Sequence, residues 1–325
     1  MRRRMLLVVS AAAAALLAGG SHVGADDYPT RPVRVLNGFP PGGATEAVGR
    51  VAMDHLTKAF GKPFYLEPKP GAAGNLAGEL LANAPADGYT LYLAAPAVVA
   101  VNPEMYKTMT FDPAKAFAPI TLIARLPIFL EVSVKHPAAS YKEFIAFAKA
   151  AGGVLNHGSP GVGTSMHLAA ELLKFRAGFK SEHITYRGQS AFAQAMMQKE
   201  LDWAFDVPVT AMNLAQNGHV RLLAVTGERR DPRFPNVPTL TELGEADAIW
   251  LSWFALVAPA GTPKQILERI SVEVANGYRD PETARRVTAT GMEAFATTPE
   301  ETARIFAADR ARWGKVVRDN NIVAE

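Results

Sequence analysis

The 325-residue chain contains no cysteine. That absence excludes disulfide scaffolds, thiolate metal sites and cysteine nucleophiles, and it suits a protein of an oxidising compartment. Long apolar runs are also scarce. The longest, from Met5 to Ala18, falls short of the ~20 residues needed to span a bilayer. It follows Arg2-Arg3-Arg4 and leads to Val23-Gly24-Ala25, which is the layout of a secretory signal peptide over residues 1–25, cleaved near Ala25. Its removal takes away three Arg and no acid, so the mature chain holds 31 basic and 31 acidic residues. A neutral chain offers no electrostatic case for a nucleic acid or an anionic membrane as partner. An exported, periplasmic and monomeric protein is expected.

Catalytic signatures are missing as well. Gly161-Val162-Gly163 has Met166 where a dinucleotide fingerprint needs its third Gly, and no P-loop Gly-Lys-Ser/Thr occurs. Ser159 sits directly between Gly158 and Pro160, which is not a nucleophile elbow. The histidines show neither metal-ligand spacing nor a paired nucleophile, so no metal, no cofactor and no catalytic residue is expected.

What is present is an alternation of strand-like and helix-length amphipathic runs, the pattern of α/β domains. Val33–Leu36 reads as a strand and is followed by a Gly/Pro-rich loop. A helix then follows with Val48, Val51, Ala52, Leu56 and Ala59 on one face, stopped by Gly61. Further strands are expected at Phe64–Glu67 and Tyr89–Ala94, with a helix over Gly74–Ala84 between them. About 120 residues on, the design repeats. A strand ends at Asn156-His157, a loop runs from Gly158 to Ser165, and a helix carries Leu168, Ala169, Leu172, Leu173 and Phe175. Two such units suggest two related lobes. Ile120–Val134 and Ile249–Ala258 are long enough to cross between them as hinge strands, and Pro299–Val317 reads as an amphipathic helix. The expected division is a discontinuous first lobe, 26–126 and 252–325, and a second lobe, 127–251.

Both Gly-rich loops feed helix N-termini, where unpaired N–H groups and the dipole favour an anion. Asp206, at an apolar strand end, either caps a neighbouring helix or holds a ligand and its waters. His167 reads as a capping or packing side chain, and Trp203, Phe205, Trp250, Trp253 and Phe254 as core.

Eight motifs in order carry a family resemblance: Pro41-Gly42-Gly43-Ala44-Thr45-Glu46, Pro70-Gly71-Ala72-Ala73-Gly74-Asn75, Ala86-Asp87-Gly88-Tyr89-Thr90-Leu91, Ser159 to Ser165, His167-Leu168 with Glu171, Tyr186-Arg187-Gly188, Val237-Pro238-Thr239-Leu240 with Glu242, and Ala258 to Pro263. Together they resemble the Bug family of extracytoplasmic solute receptors, which serve tripartite tricarboxylate transporters. The resemblance implies a type II periplasmic binding protein whose two α/β lobes, joined by hinge strands, close on a small carboxylate and present it to the membrane components of a transporter or to a sensor. It implies ligand contacts from Phe39, Gly42, Gly43, Ala44 and Thr45 on one side. On the other it implies Gly158, Ser159, Gly163, Thr164 and Ser165, with Asp206 on a later strand-end loop. Glu46 stands where the family usually has Asp, and Pro68-Lys69-Pro70 where it usually has Asn-Arg-Pro. The other reading of such a cleft is an exported hydrolase or lyase acting on a small organic acid.

Overall fold

The computed structural model describes residues 27–152, 155–245, 250–319 and 322. The expected signal peptide, its cleavage site and Ile249 lie outside these residues.

The described residues form two five-stranded sheets. In the first the order is β2-β1-β3-β10-β4, from β1 (Val33–Asn37), β2 (Phe64–Pro68), β3 (Thr90–Ala94), β10 (Ser252–Pro259) and β4 (Phe117–Leu126). In the second it is β7-β6-β8-β5-β9, from β7 (Glu182–Thr185), β6 (Asn156–Ser159), β8 (Trp203–Asp206), β5 (Phe129–Ser133) and β9 (Val220–Val225). The two orders are the same design. Three parallel strands are followed by an antiparallel one, β10 or β5, and then by a final strand antiparallel to it. Strands so placed are covered on both faces and need near-continuous apolar sequence. β10 meets this with all eight positions buried, whereas β5 carries the fully buried Glu131.

The chain leaves the first sheet at the end of β4, passes through Pro127-Ile128 and enters the second at β5. It returns after β9 and re-enters the first sheet at β10. The two passages are tied together by Thr226. Its Oγ1 accepts from the Ile128 amide at 3.0 Å and donates to the Trp250 carbonyl at 2.6 Å. Its backbone joins Ile128 and Trp250 again.

The first helix, Ala44–Phe60, buries Val48, Val51, Ala52 and Leu56, while Ala59 is exposed. Gly61 ends it in the left-handed conformation at φ 65°, with its N–H on the Thr57 carbonyl. The second helix is Asn75–Ala82, entered through a 3-10 turn at Ala72–Gly74. In the helix Ser165–Ala177, Leu168, Ala169 and Leu173 are buried but Phe175 is 60% exposed. The C-terminal helix runs Pro299–Asp319 and buries Phe306 and Trp313.

β6 departs from the sequence reading. It does not end at His157 but continues through Gly158 and Ser159, which pair with Ile184 and Thr185 of β7. The reason is remote in sequence: a Cβ on Gly158 would lie 2.3 Å from Leu201 Cδ1. Glycine here makes room for a core leucine rather than opening a loop.

Candidate functional site

Four helices begin at one cavity between the sheets. The helix Ala44–Phe60 has Gly43 as its N-cap, Ser165–Ala177 has Thr164, Gln189–Gln198 has Gly188, and Pro208–Gln216 has Val207. All four N-cap residues line the cavity. Gly43 and Gly188 provide no side-chain cap, so no side chain of the N-cap competes for the first-turn amides there, whereas at Val207 the first helical residue, Pro208, has no N–H and Asp206 accepts from the Val207 amide. Each helix terminus carries about half a positive charge. Among the described residues, the wall contains no Lys, Arg, His, Asp or Glu. It is built of Phe39, Pro40, Ala95, Ala97, Pro160, Met166 and Phe254, with the polar Thr45, Thr164, Ser165, Gln189 and Ser252. The space inside it, part of it open to solvent, amounts to about 580 Å³.

Contacts across the cavity join strands, helix ends and loops of the two sheets. Ser165 Oγ and Ser252 Oγ are 2.9 Å apart. A Cβ on Gly188 would fall 3.0 Å from Pro40 Cγ, and one on Gly163 would fall 2.8 Å from Asn102 Oδ1. Both glycines have left-handed φ, 93° and 79°, a conformation that other residues adopt at a cost.

Of the residues singled out from the sequence, Phe39, Gly43, Ala44, Thr45, Thr164 and Ser165 line this cavity, and Gly42, Gly158, Ser159, Gly163 and Asp206 do not. The Gly42 amide donates to Glu46 Oε2 at 2.6 Å, and Glu46 also pairs with Arg50. Ser159 is buried, with Oγ on the Gly161 carbonyl and on His183 Nε2. The Gly163 amide donates to His167 Nδ1 at 3.1 Å. Thr164 commits its hydroxyl hydrogen to the Gly161 carbonyl at 2.7 Å. Asp206 is fully buried and accepts at Oδ1 from the Val207 amide and from Gln189 Nε2, each at 2.6 Å.

Two cavity helices escaped sequence reasoning. Pro208 at the first helical position was a signal for the one after Val207. Gly188 after the short β7 was a weaker signal for the other.

Behind the Gly158–Ser165 segment lies a stack of histidines. The rings of His167 and His183 are 4.0 Å apart at 18°, those of His157 and His183 5.1 Å at 28°, and Trp203 closes the stack on His157 at 4.9 Å. Burial holds His167 down to about 4. Burial, then the adjacent His167 and His157, hold His183 to about 3. Burial alone would raise Glu171, but His157 and the Lys174 ammonium, 2.7 Å away, outweigh it and keep the carboxyl at about 2. His167 is thus the packing residue its helical position suggested.

Comparison with known proteins agrees with this geometry. The model of the tripartite tricarboxylate transporter family receptor, TctC, matches residues 48–322. The chain is 35% identical over 294 residues to a protein of Cupriavidus necator designated UPF0065 protein in gbd 5'region, covering 90% of this chain and 88% of that one. Among solved structures, R. palustris Rpa4515 with adipate superposes with TM-score 0.86 at 31% identity, covering 91% of this chain and 99% of the other. The periplasmic binding protein BugD superposes with TM-score 0.83 at 25% identity, covering 92% and 100%. The two-lobe α/β fold of periplasmic binding proteins is therefore that of this chain, and the chain belongs to the tripartite tricarboxylate transporter receptor family of solute-binding proteins.

Proposed function

We propose that the protein, exported to the periplasm after loss of residues 1–25, captures a small carboxylate between a lobe of residues 26–126 and 252–325 and a lobe of residues 127–251. It then presents the closed form to the membrane components of a tripartite transporter or to a sensor. One observation carries this reading: four helix N-termini meet at an apolar cavity whose wall has no charged side chain. Backbone amides and aligned dipoles are the cavity's source of positive potential, and a small anion such as a carboxylate suits them. The adipate bound by Rpa4515 is an acid of this class. Gly43, Ala44 and Thr45 would serve the ligand from one side, with the Thr164–Ser165 turn and the Gly188 and Val207 termini opposite. Phe39 and Phe254 would cover its carbon chain.

A hydrolase or lyase is disfavoured because the wall offers no titratable group for proton transfer. The test is a thermal-shift screen of refolded, ligand-free protein against mono- and dicarboxylates, including adipate, aromatic acids and amino acids. Hits are followed by calorimetric titration and product analysis. Saturable stabilisation by a carboxylate without turnover is expected. Turnover of the acid, or stabilisation only by uncharged or cationic solutes, would overturn the reading.

A further inference from the structure

Glu131 and Asp206 are both fully buried, on adjacent antiparallel strands. The register pairs Phe129 with Asp206 and Glu131 with Ala204, so the two acids share one face of the sheet as diagonal neighbours, within reach of a long side chain. Both Glu131 oxygens and Asp206 Oδ2 have no hydrogen-bond partner. Three buried, unpartnered carboxyl oxygens are too costly to leave so. Two adjacent carboxylates in an apolar interior cannot both stay ionised. The helices over this face, Gln189–Gln198 and Pro208–Gln216, contain no charged residue. Of the charged groups on the neighbouring strands, Arg221 of β9 donates to the carbonyls of His136 and Ala138, and Asp202, ahead of β8, accepts from the Asn156 amide. Asp206 takes its two hydrogen bonds from the neutral Gln189 amide and the Val207 backbone.

We propose that Glu131 and Asp206 share one proton, and that this dyad positions Gln189 in the wall of the ligand cavity and makes carboxylate binding proton-linked. Asp206 is the ionised member, because its Oδ1 already receives two donors. Glu131 receives none, keeps the proton and donates it to Asp206 Oδ2, which gives Asp206 Oδ2 and one of the two Glu131 oxygens a partner in a strong O–H···O⁻ bond. Burial, and for Glu131 the neighbouring Asp206 charge as well, push both carboxyls up, Asp206 to about 8, so the pair as a unit retains a proton at neutral pH. Asp206 in turn fixes Gln189, whose Nε2 gives one hydrogen to Asp206 and the other to Thr210 Oγ1 at 3.0 Å. A reversed amide would set oxygen against carboxylate. Glu131 is thus a positioning residue, one step behind the wall. Losing the shared proton would place a second buried charge beside the bound anion, so affinity must fall as the dyad deprotonates.

The proton linkage rests on the carboxylate-receptor reading; the dyad itself does not, and the experiment separates them. In ligand-free protein at pH 7, infrared difference spectroscopy of wild type against Glu131→Gln should reveal the C=O stretch of a protonated, buried carboxylic acid that the variant lacks. With adipate as probe, calorimetry in buffers of different ionisation heat should show proton uptake by wild type at alkaline pH. Affinity should fall about tenfold between pH 7 and 9. Glu131→Gln keeps a donor toward Asp206, so it should bind within about threefold of wild type at pH 7 with a flat profile. If adipate does not bind, the infrared band decides the dyad alone. Absence of the band, its persistence in Glu131→Gln, or identical pH profiles for the two proteins would overturn the proposal. If Glu131→Gln fails to fold, the wild-type band and proton count decide it.

Discussion

Ser165 and Ser252 reach toward each other from the flanks of different sheets, and both line the cavity. Two hydroxyls hold two hydrogens but use only one between them, so the other is free for an anion. Either serine alone can still supply it. Ser165→Ala and Ser252→Ala should therefore each weaken carboxylate binding by less than tenfold, and the double variant by about tenfold to a hundredfold, since a hydrogen bond to a charged group is worth ~1.5–3 kcal/mol. Arg187 is exposed and does not line the cavity. Its replacement by Ala should move affinity by no more than about twofold, the usual scale for a surface change. Calorimetric titration of the four proteins tests this. If Arg187→Ala abolishes binding while the serine double variant is silent, the anion is held by a side-chain cation and not by helix termini.

The histidine stack belongs to three elements, with His157 on β6, His167 on the helix Ser165–Ala177 and His183 on β7. The unfolded chain takes up protons at these rings below about pH 6.5, whereas folded His167 and His183 do so only near 4 and 3. Their contribution to stability is therefore intact above pH 6.5 and shrinks as pH falls toward those values, by about 2 kcal/mol for each ring at pH 5. Chemical denaturation at pH 7.5 and pH 5 should show this loss, and His183→Phe, which keeps a stacked ring, should reduce the difference by about that amount. An unchanged difference would mean the rings protonate while folded. None of this juxtaposition was legible beforehand. The sheet register that sets His157 opposite His183 is a tertiary choice. The same holds for Glu131, whose diagonal neighbour Asp206 lies 75 residues away, and for Gly158, which looks like a loop residue until Leu201 arrives beside it. Legible instead were features decided within a few residues: the Gly-rich entries to helices, the Gly61 stop and the apolar faces of the long helices. Hence the Gly43 and Thr164 ends of the cavity could be read in the sequence, while the Gly188 and Val207 ends, on short strands with few local marks, could not.

Across the whole molecule, close contacts join the two sides of the cavity. Gly188 lies against Pro40, and a methyl group there would both approach Pro40 Cγ at 3.0 Å and resist φ 93°. The passages between the sheets are narrow, and Thr226 pins Ile128 to Trp250 through one hydroxyl. Such an arrangement suits a hinge motion, with small changes at a few residues moving two packed bodies. Small-angle scattering should then show the refolded, ligand-free protein contracting when a tight-binding carboxylate is added. Gly188→Ala should reduce the contraction and raise Kd by about fivefold to a hundredfold, because the added methyl costs ~1–3 kcal/mol against Pro40 when the two sides of the cavity meet. Thr226→Val tests the other end of the same motion. It strands a buried amide and a buried carbonyl, so it should cost about 1–3 kcal/mol of stability and broaden the ligand-free distance distribution while leaving the cavity wall intact. An unchanged radius of gyration at saturating ligand, with Gly188→Ala binding as wild type does, would reduce the protein to a rigid pocket and remove closure from the proposed function.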